Sequence, residues 1–166
     1  MPLPLETKRL LIRPFEPEDA AAAHLWLGDP EVMARIPSGA SGDVAHTASR
    51  LQVNIDHQRA QRFSLWAVAE KRSGKLIGDC GLFLVEGKGP EVEIIYRFAR
   101  KYQRQGYAAE AAREVLRYGR EELRLPKIIA ITHPDHHASR RVMEKCGMIF
   151  VRRDILYGIE MVVYEF

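Results

Sequence analysis

Between Arg100 and Glu114 the chain reads Arg100-Lys-Tyr-Gln-Arg-Gln-Gly-Tyr-Ala-Ala-Glu-Ala-Ala-Arg-Glu114. The residues up to Gln105 are basic and amide-rich; from Gly106 strong helix formers take over. The first turn of a helix leaves backbone N–H groups without intrahelical partners and carries partial positive charge. A glycine there lets a ligand come close to the backbone. Arg100, Lys101 and Arg104 add full charges, so the stretch suits a phosphate or pyrophosphate. On charge alone it reads equally as an ordinary helix start behind a basic turn.

Other reactive side chains point to less. His133, His136 and His137 lie close together, but Pro134 separates them and Asp135 is the one carboxylate nearby, so no metal site is expected. Cys80 and Cys146 are far apart and in no paired motif, which fits buried or incidental thiols in a reducing compartment.

The chain of 166 residues is long enough for one domain with a substantial core, expected to span 1–166. Its 46% hydrophobic and 28% charged content is that of a soluble globular protein. A net charge of +3, from 25 basic and 22 acidic residues, with no dense Lys/Arg block, argues against nucleic acid. The first eight residues hold no apolar segment of signal-peptide length, and no apolar run reaches membrane-spanning length. A cytoplasmic protein that binds neither membrane nor nucleic acid is expected.

The elements that must position the basic turn follow from pattern. Arg9 to Phe15 reads as a strand and Pro17 to Leu27 as a helix, with Pro17, Glu18 and Asp19 suited to its first turn. Glu31 to Arg35 adds a helical turn. Ser41 or Asp43 can cap a second long helix ending near Arg62, whose polar face reads as solvated. Phe63 to Ala69, Leu76 to Val85 and Glu91 to Phe98 form an antiparallel meander, with Gly78 and Gly81 predicting a bulge or a close backbone approach. The helix after the basic turn runs to about Arg124, its core face including Ala108, Ala112, Val115, Leu116 and Leu123. Lys127 to Thr132 is then a strand parallel to Glu91 to Phe98. Asp135 is the expected N-cap of a further helix, Gly147 its C-cap, and Met148 to Asp154 and Ile159 to Phe166 close the chain as a hairpin. The class is α/β: a mostly antiparallel mixed sheet with helices on both faces.

With these elements in order, the chain resembles the GNAT acetyltransferase superfamily, and within it the RimJ/RimL-type ribosomal-protein N-acetyltransferases. The resemblance rests on Gln103-Arg-Gln-Gly-Tyr-Ala108, on Glu93-Ile-Ile-Tyr96 before it, and on His136-His-Ala-Ser139 leading into Arg141-Val-Met-Glu-Lys-Cys-Gly147. Thr7-Lys-Arg-Leu-Leu-Ile-Arg-Pro14 and Gly28-Asp-Pro-Glu-Val-Met33 add to it, so it covers nearly the whole chain.

The resemblance implies a single-domain fold with a splayed parallel strand pair, acetyl-CoA as donor and an amine as acceptor, either a peptide N-terminus or a small amine. It implies that Gln103, Arg104, Gln105, Gly106, Tyr107 and Ala108 hold the CoA pyrophosphate through backbone N–H groups, and that pantetheine pairs with backbone near Phe98 and Ala99. Backbone N–H groups of the splayed strand would serve the oxyanion. Glu93 stands where the family often has a carboxylate and is the implied base, with Glu91 as fallback; Ser139 is the implied acid or a ligand of the CoA sulfur. His136 stands where the family usually has an Asn that contacts pantetheine, and is implied as a cofactor-binding residue through its imidazole; Ile95 stands where the family favours glycine.

Tyr157, Tyr164, Trp26 and Met33 read as packing residues, with contact to the acceptor as the alternative. No covalent acetyl-cysteine is expected. Monomer and homodimer are equally compatible with the sequence. The other class of function in keeping with such a fold is a module that binds acyl-CoA as a sensor without turnover.

Overall fold

Leu10 and Ile12 are fully buried while Leu11 and Arg13 are only partly so, the period-two pattern of a strand with one face on a core. That strand opens the main sheet of the structure, a computed structural model that describes residues 3–166. Met1 and Pro2, where the segment read for a signal peptide begins, lie outside the described residues.

The order is β1 (Leu5–Glu6), β2 (Leu10–Pro14), α1 (Ala20–Leu27, after a 3-10 turn at Pro17–Asp19), α2 (Pro30–Met33) and α3 (Val44–Gln61). Then follow β3 (Leu65–Glu70), β4 (Leu76–Leu84), β5 (Val92–Phe98), α4 (Tyr107–Glu121), β6 (Ile129–Thr132), α5 (His137–Lys145), β7 (Ile149–Leu156) and β8 (Ile159–Glu165). The strands make one eight-stranded sheet in the order β1-β2-β3-β4-β5-β6-β8-β7. Every neighbouring pair is antiparallel except β5 and β6. This is the predicted α/β class with its one parallel pair.

Strand alternation separates the two larger of three core clusters. Trp66 and Val68 pack with Ala111, Val115 and Leu116 of α4 and Met143 of α5. Ala67, between them, packs with Trp26 and Leu27 of α1, Met33 of α2 and Leu51 of α3. Helices therefore cover both faces. Asp43 caps α3, its carboxylate accepting the His46 N–H at 2.7 Å. The close approach predicted at the β4 glycines is present. A Cβ on Gly81 would lie 2.1 Å from Ser64 O, and one on Gly78 2.3 Å from Arg97 O. The β3–β4 register also slips between Val68 and Ala69.

One local expectation fails. α5 begins at His137 with His136 at the cap position, not at an Asp135 cap. Pro134 and Asp135 are used in a turn, where the His136 N–H donates to His133 O at 2.9 Å and the Asp135 N–H to His133 Nδ1 at 3.2 Å. Ala108, expected on the core face of α4, is half-buried against that core and also lines a surface groove. The C-terminal end is as predicted: Gly147 has φ 80° and its N–H donates to Glu144 O. Among the described residues no helix is long and apolar enough to cross a membrane.

Candidate active site

β5 is paired with β4 along its whole length, from Val92 to Phe98, but with β6 only at Glu93 opposite Ile129. Beyond that point the two parallel strands separate. The backbone groups of β5 that face β6 there have no strand partner, and buried groups of this kind need one. The V between the strands is the centre of the site.

A groove of about 900 Å³ leads into the V, lined by Phe98, Gln103, Arg104, Gly106, Tyr107 and Ala108 on one side and by α5 on the other. The loop before α4 is braced. Gln103 Nε2 donates to Phe98 O at 2.9 Å, Gln105 Nε2 to Lys101 O at 2.7 Å, and Arg9 Nη1 to Gln105 O at 2.9 Å. Glu110, in the first turn of α4, fixes Arg9 in turn, accepting its Nε at 2.7 Å. Gly106 has φ 82° and Arg104 φ 60°, so the chain passes through two left-handed residues before the helix. Tyr107 offers the groove its backbone: its ring is buried, its hydroxyl donates to Glu70 at 2.5 Å, and the Arg9 guanidinium lies 4.2 Å from its ring centroid.

The charges around this loop are not the ones its sequence suggests. Arg100 is held by Asp29 at 2.6 Å and Glu31 at 2.9 Å, Lys101 lies over the Tyr102 ring, and neither lines the groove. Arg104 remains, and α5 supplies Arg141 and Lys145 from the opposite wall. Sequence reasoning missed these two because their helix is 30 residues or more downstream; only the fold brings them together.

A second cavity of about 350 Å³ adjoins the groove, the two sharing Arg35, Ile36, Tyr96, Arg97, His136 and Ser139. Glu93 lines this second cavity and is only 4% exposed. Burial pushes its carboxyl from an ordinary 4.5 up to about 7, although the Tyr157 hydrogen bond and Arg97 pull the other way. Tyr157 donates that bond from its phenol. Beneath the shared wall, Arg97 donates to buried Asp79 from Nε at 2.9 Å and Nη2 at 2.8 Å, and Trp26 Nε1 donates to the same carboxylate at 2.9 Å.

Ser139 is 8% exposed, and its Oγ lies 3.0 Å from the hydroxyl of Tyr96. The Tyr96 hydroxyl also lies 3.0 Å from Ser139 O. Burial raises the Tyr96 pKa, so the phenol keeps its proton. His136 Nδ1 is 3.3 Å from Thr132 Oγ1, and burial, then Arg35, holds its pKa down.

Several residues stand elsewhere than expected. Gln105 and Ala99 line neither cavity, and the Ala99 N–H and C=O are engaged with Ile77 and Tyr102. Glu91 is also outside both, paired with Arg152 at 3.1 Å and Lys127 at 3.2 Å, so it has no path to the chemistry. Trp26, Met33 and Tyr164 are packing residues, as expected. Tyr157 is not: it lines the smaller cavity on Glu93. Tyr96 was passed over in the sequence, where it looks like one more apolar residue of a strand. Cys80 and Cys146 are buried and burial raises both pKa values, which keeps the thiols protonated. No group of three or more metal-binding side chains is found among the described residues.

A parallel strand pair that separates in front of a helix N-terminus, within one mixed sheet, is the architecture of the GNAT fold. The sequence profile of the acetyltransferase (GNAT) domain matches residues 9–149, and the chain belongs to this family. It is 36% identical over 163 residues to the uncharacterized protein YkkB of Bacillus subtilis (strain 168), covering 97% of this chain and 94% of that one. The GNAT-family acetyltransferase of Bacillus anthracis superposes with a TM-score of 0.82 at 30% identity, over 98% of this chain and 96% of that one. The same fold recurs in RimL, the ribosomal L7/L12 alpha-N-protein acetyltransferase in complex with coenzyme A, with a TM-score of 0.79 at 14% identity, covering 96% of this chain and 94% of that one. The chain is an acetyltransferase enzyme.

Proposed function

We propose that the protein transfers acetyl from acetyl-CoA directly to an amine, a protein N-terminus or a small molecule, and that it is of the RimJ/RimL type. The observation that carries the reading is Glu93: a buried carboxyl with a pKa near 7, at the vertex of the V and in the cavity that adjoins the groove. A general base works best when its pKa is close to the working pH.

The groove fits acetyl-CoA in shape and charge. It holds about 900 Å³, it carries Arg104, Arg141 and Lys145, and it meets the N-terminus of α4 at a left-handed glycine that keeps the backbone accessible. The donor supplies an activated acyl thioester. In this reading Gln103, Arg104, Gly106, Tyr107 and Ala108 hold the pyrophosphate, and the unpaired edge of β5 near Phe98 takes the pantetheine amides. Glu93 removes the proton that the acceptor amine must lose, directly or through a water. Backbone N–H groups of β5 in the V stabilise the developing oxyanion. Ser139, its Oγ 3.0 Å from the Tyr96 hydroxyl, delivers a proton to the leaving thiolate in this reading.

The test is release of CoA thiol in the presence of a panel of peptides and small amines, wild type beside Glu93→Gln. The variant is expected to lose about 10²- to 10⁴-fold in kcat/KM while binding CoA normally. Tight CoA binding without turnover of any amine would leave an acyl-CoA sensor; equal rates in the two proteins would remove Glu93 from the chemistry.

A further inference from the structure

The smaller cavity holds a cation that lacks a counter-charge. Arg50 lines it from α3. Its Nη2 donates to Ser38 O at 2.7 Å, but its Nη1 is buried without a hydrogen-bond partner. Among the described residues it forms no ion pair with a carboxylate. The nearby Arg97 does not share this state, because Asp79 neutralises it from below. Arg35, exposed at the mouth of both cavities, adds another positive charge. The one acidic side chain that lines the cavity is Glu93, half neutralised by its own proton near pH 7.

A buried guanidinium N–H without a partner is costly, and a carboxylate is the partner whose geometry it matches. Resting on the acetyltransferase reading, we propose that the acceptor is a free amino acid: its amine faces Glu93 and its carboxylate is held by Arg50. The cavity volume of about 350 Å³ suits a molecule of that size. Its remaining walls include Leu27, Val53, Ile95, Met143 and Met161, so an apolar side chain is accommodated best. The alternatives fit less well. A polyamine or other polycation would meet Arg50 and Arg35 with one carboxyl to offset them. A peptide N-terminus has an amide where a free amino acid has its carboxylate, and leaves Arg50 with a neutral acceptor.

The experiment compares leucine, methionine and phenylalanine, each with its C-terminal amide. Two readouts are taken: acetyl transfer from acetyl-CoA, and calorimetric binding to the CoA-loaded protein. Wild type is expected to favour the free acids by about ten- to hundredfold. Arg50→Gln should bring that ratio close to one, and Arg50→Lys should restore part of it. CoA affinity serves as the folding control, because Arg50 does not line the donor groove. If the glutamine variant fails that control, the wild-type ratio and the lysine variant decide. Amides handled as well as acids by wild type would overturn the inference, as would a ratio unchanged in Arg50→Gln. The two readings fail separately. Arg50-dependent binding of amino acids without turnover keeps this site and sinks the enzyme reading. Brisk acetylation of amides and peptides without preference for acids does the reverse.

Discussion

Tyr157 donates its phenolic proton to Glu93 Oε1, joining the tip of the last hairpin to the vertex of the β5–β6 opening. The two residues are 64 positions apart, and the contact is held from both ends. Tyr157 and Glu86 sit in facing turns with φ 55° and 54°. The Tyr157 N–H donates to Glu86 Oε1 at 2.8 Å, and the Glu86 N–H donates to the Tyr157 hydroxyl at 3.0 Å. A hydrogen bond to the ionised carboxylate favours that form, so the phenol opposes the burial that raises the Glu93 pKa.

Replacing Tyr157 with Phe removes the opposing bond. The Glu93 pKa should then rise further, and the acidic limb of the kcat/KM profile should move up from its wild-type midpoint near 7. Activity would be lost mainly at and below neutral pH and recover toward wild type in alkali. A profile of unchanged midpoint, lowered evenly, would mean that the phenol only orients the carboxylate.

The same titration acts on stability. Glu93 keeps its proton in the folded state up to about 7, whereas the unfolded chain releases it near 4.5. Both states are protonated below that window and both are ionised above it. Inside it the unfolded state binds fewer protons, so stability falls as pH rises. Over the shift the loss is about 3 kcal/mol. Glu93→Gln cannot titrate, so its stability relative to wild type should increase between pH 4.5 and 7, read by urea denaturation at several pH values. A constant difference across that range would show that the carboxyl titrates normally.

The pattern of the chain made the elements legible because most were locally specified. Alternation marked the strands, Asp43 marked the start of α3, and Gly147 the end of α5. Glu93, Ser139 and the loop from Gln103 to Ala108 could be named from resemblance to a family; Glu93 lines the smaller cavity, Ser139 lines both, and the loop, apart from Gln105, lines the groove. What could not be read was side-chain partnership over long separations. Arg100 reads as a phosphate ligand in sequence but is held by Asp29 and Glu31, and Glu91, the fallback to Glu93, is held by Arg152 and Lys127. Tyr157 and Arg50 are ordinary residues in sequence. They matter because a hairpin tip and a helix face arrive at one cavity from opposite ends of the chain.

Ser139 and Tyr96 form one hydroxyl pair, with oxygens 3.0 Å apart, so their substitutions should not add. If the pair delivers the proton to the thiolate, Ser139→Ala and Tyr96→Phe each lower kcat by about 10²-fold or more, and the double variant is little worse than the poorer single one. Saturation by the donor should change less than kcat, because both residues line the groove only where it meets the smaller cavity and neither belongs to the loop before α4. Additive losses confined to KM would instead assign both hydroxyls to binding.

Gly106 permits a direct test of the cradle. Its φ of 82° is strained for any branched residue, at a cost of about 1–3 kcal/mol. A Cβ there would also lie 3.4 Å from Arg9 Nη2, in a guanidinium already fixed by Gln105 and Glu110. Gly106→Val should therefore lose both stability and CoA affinity, which confounds strain with obstruction. Gly106→Asn separates them, since Asn tolerates the left-handed region. Its melting temperature should stay close to wild type while its side chain still crowds the backbone N–H groups at the start of α4. CoA affinity measured by calorimetry should fall in both variants, with acetyl transfer at saturating donor largely preserved in the Asn form. If Gly106→Asn binds CoA as wild type does, the pyrophosphate does not approach the backbone at this turn, and the cations of α5 must hold it elsewhere in the groove.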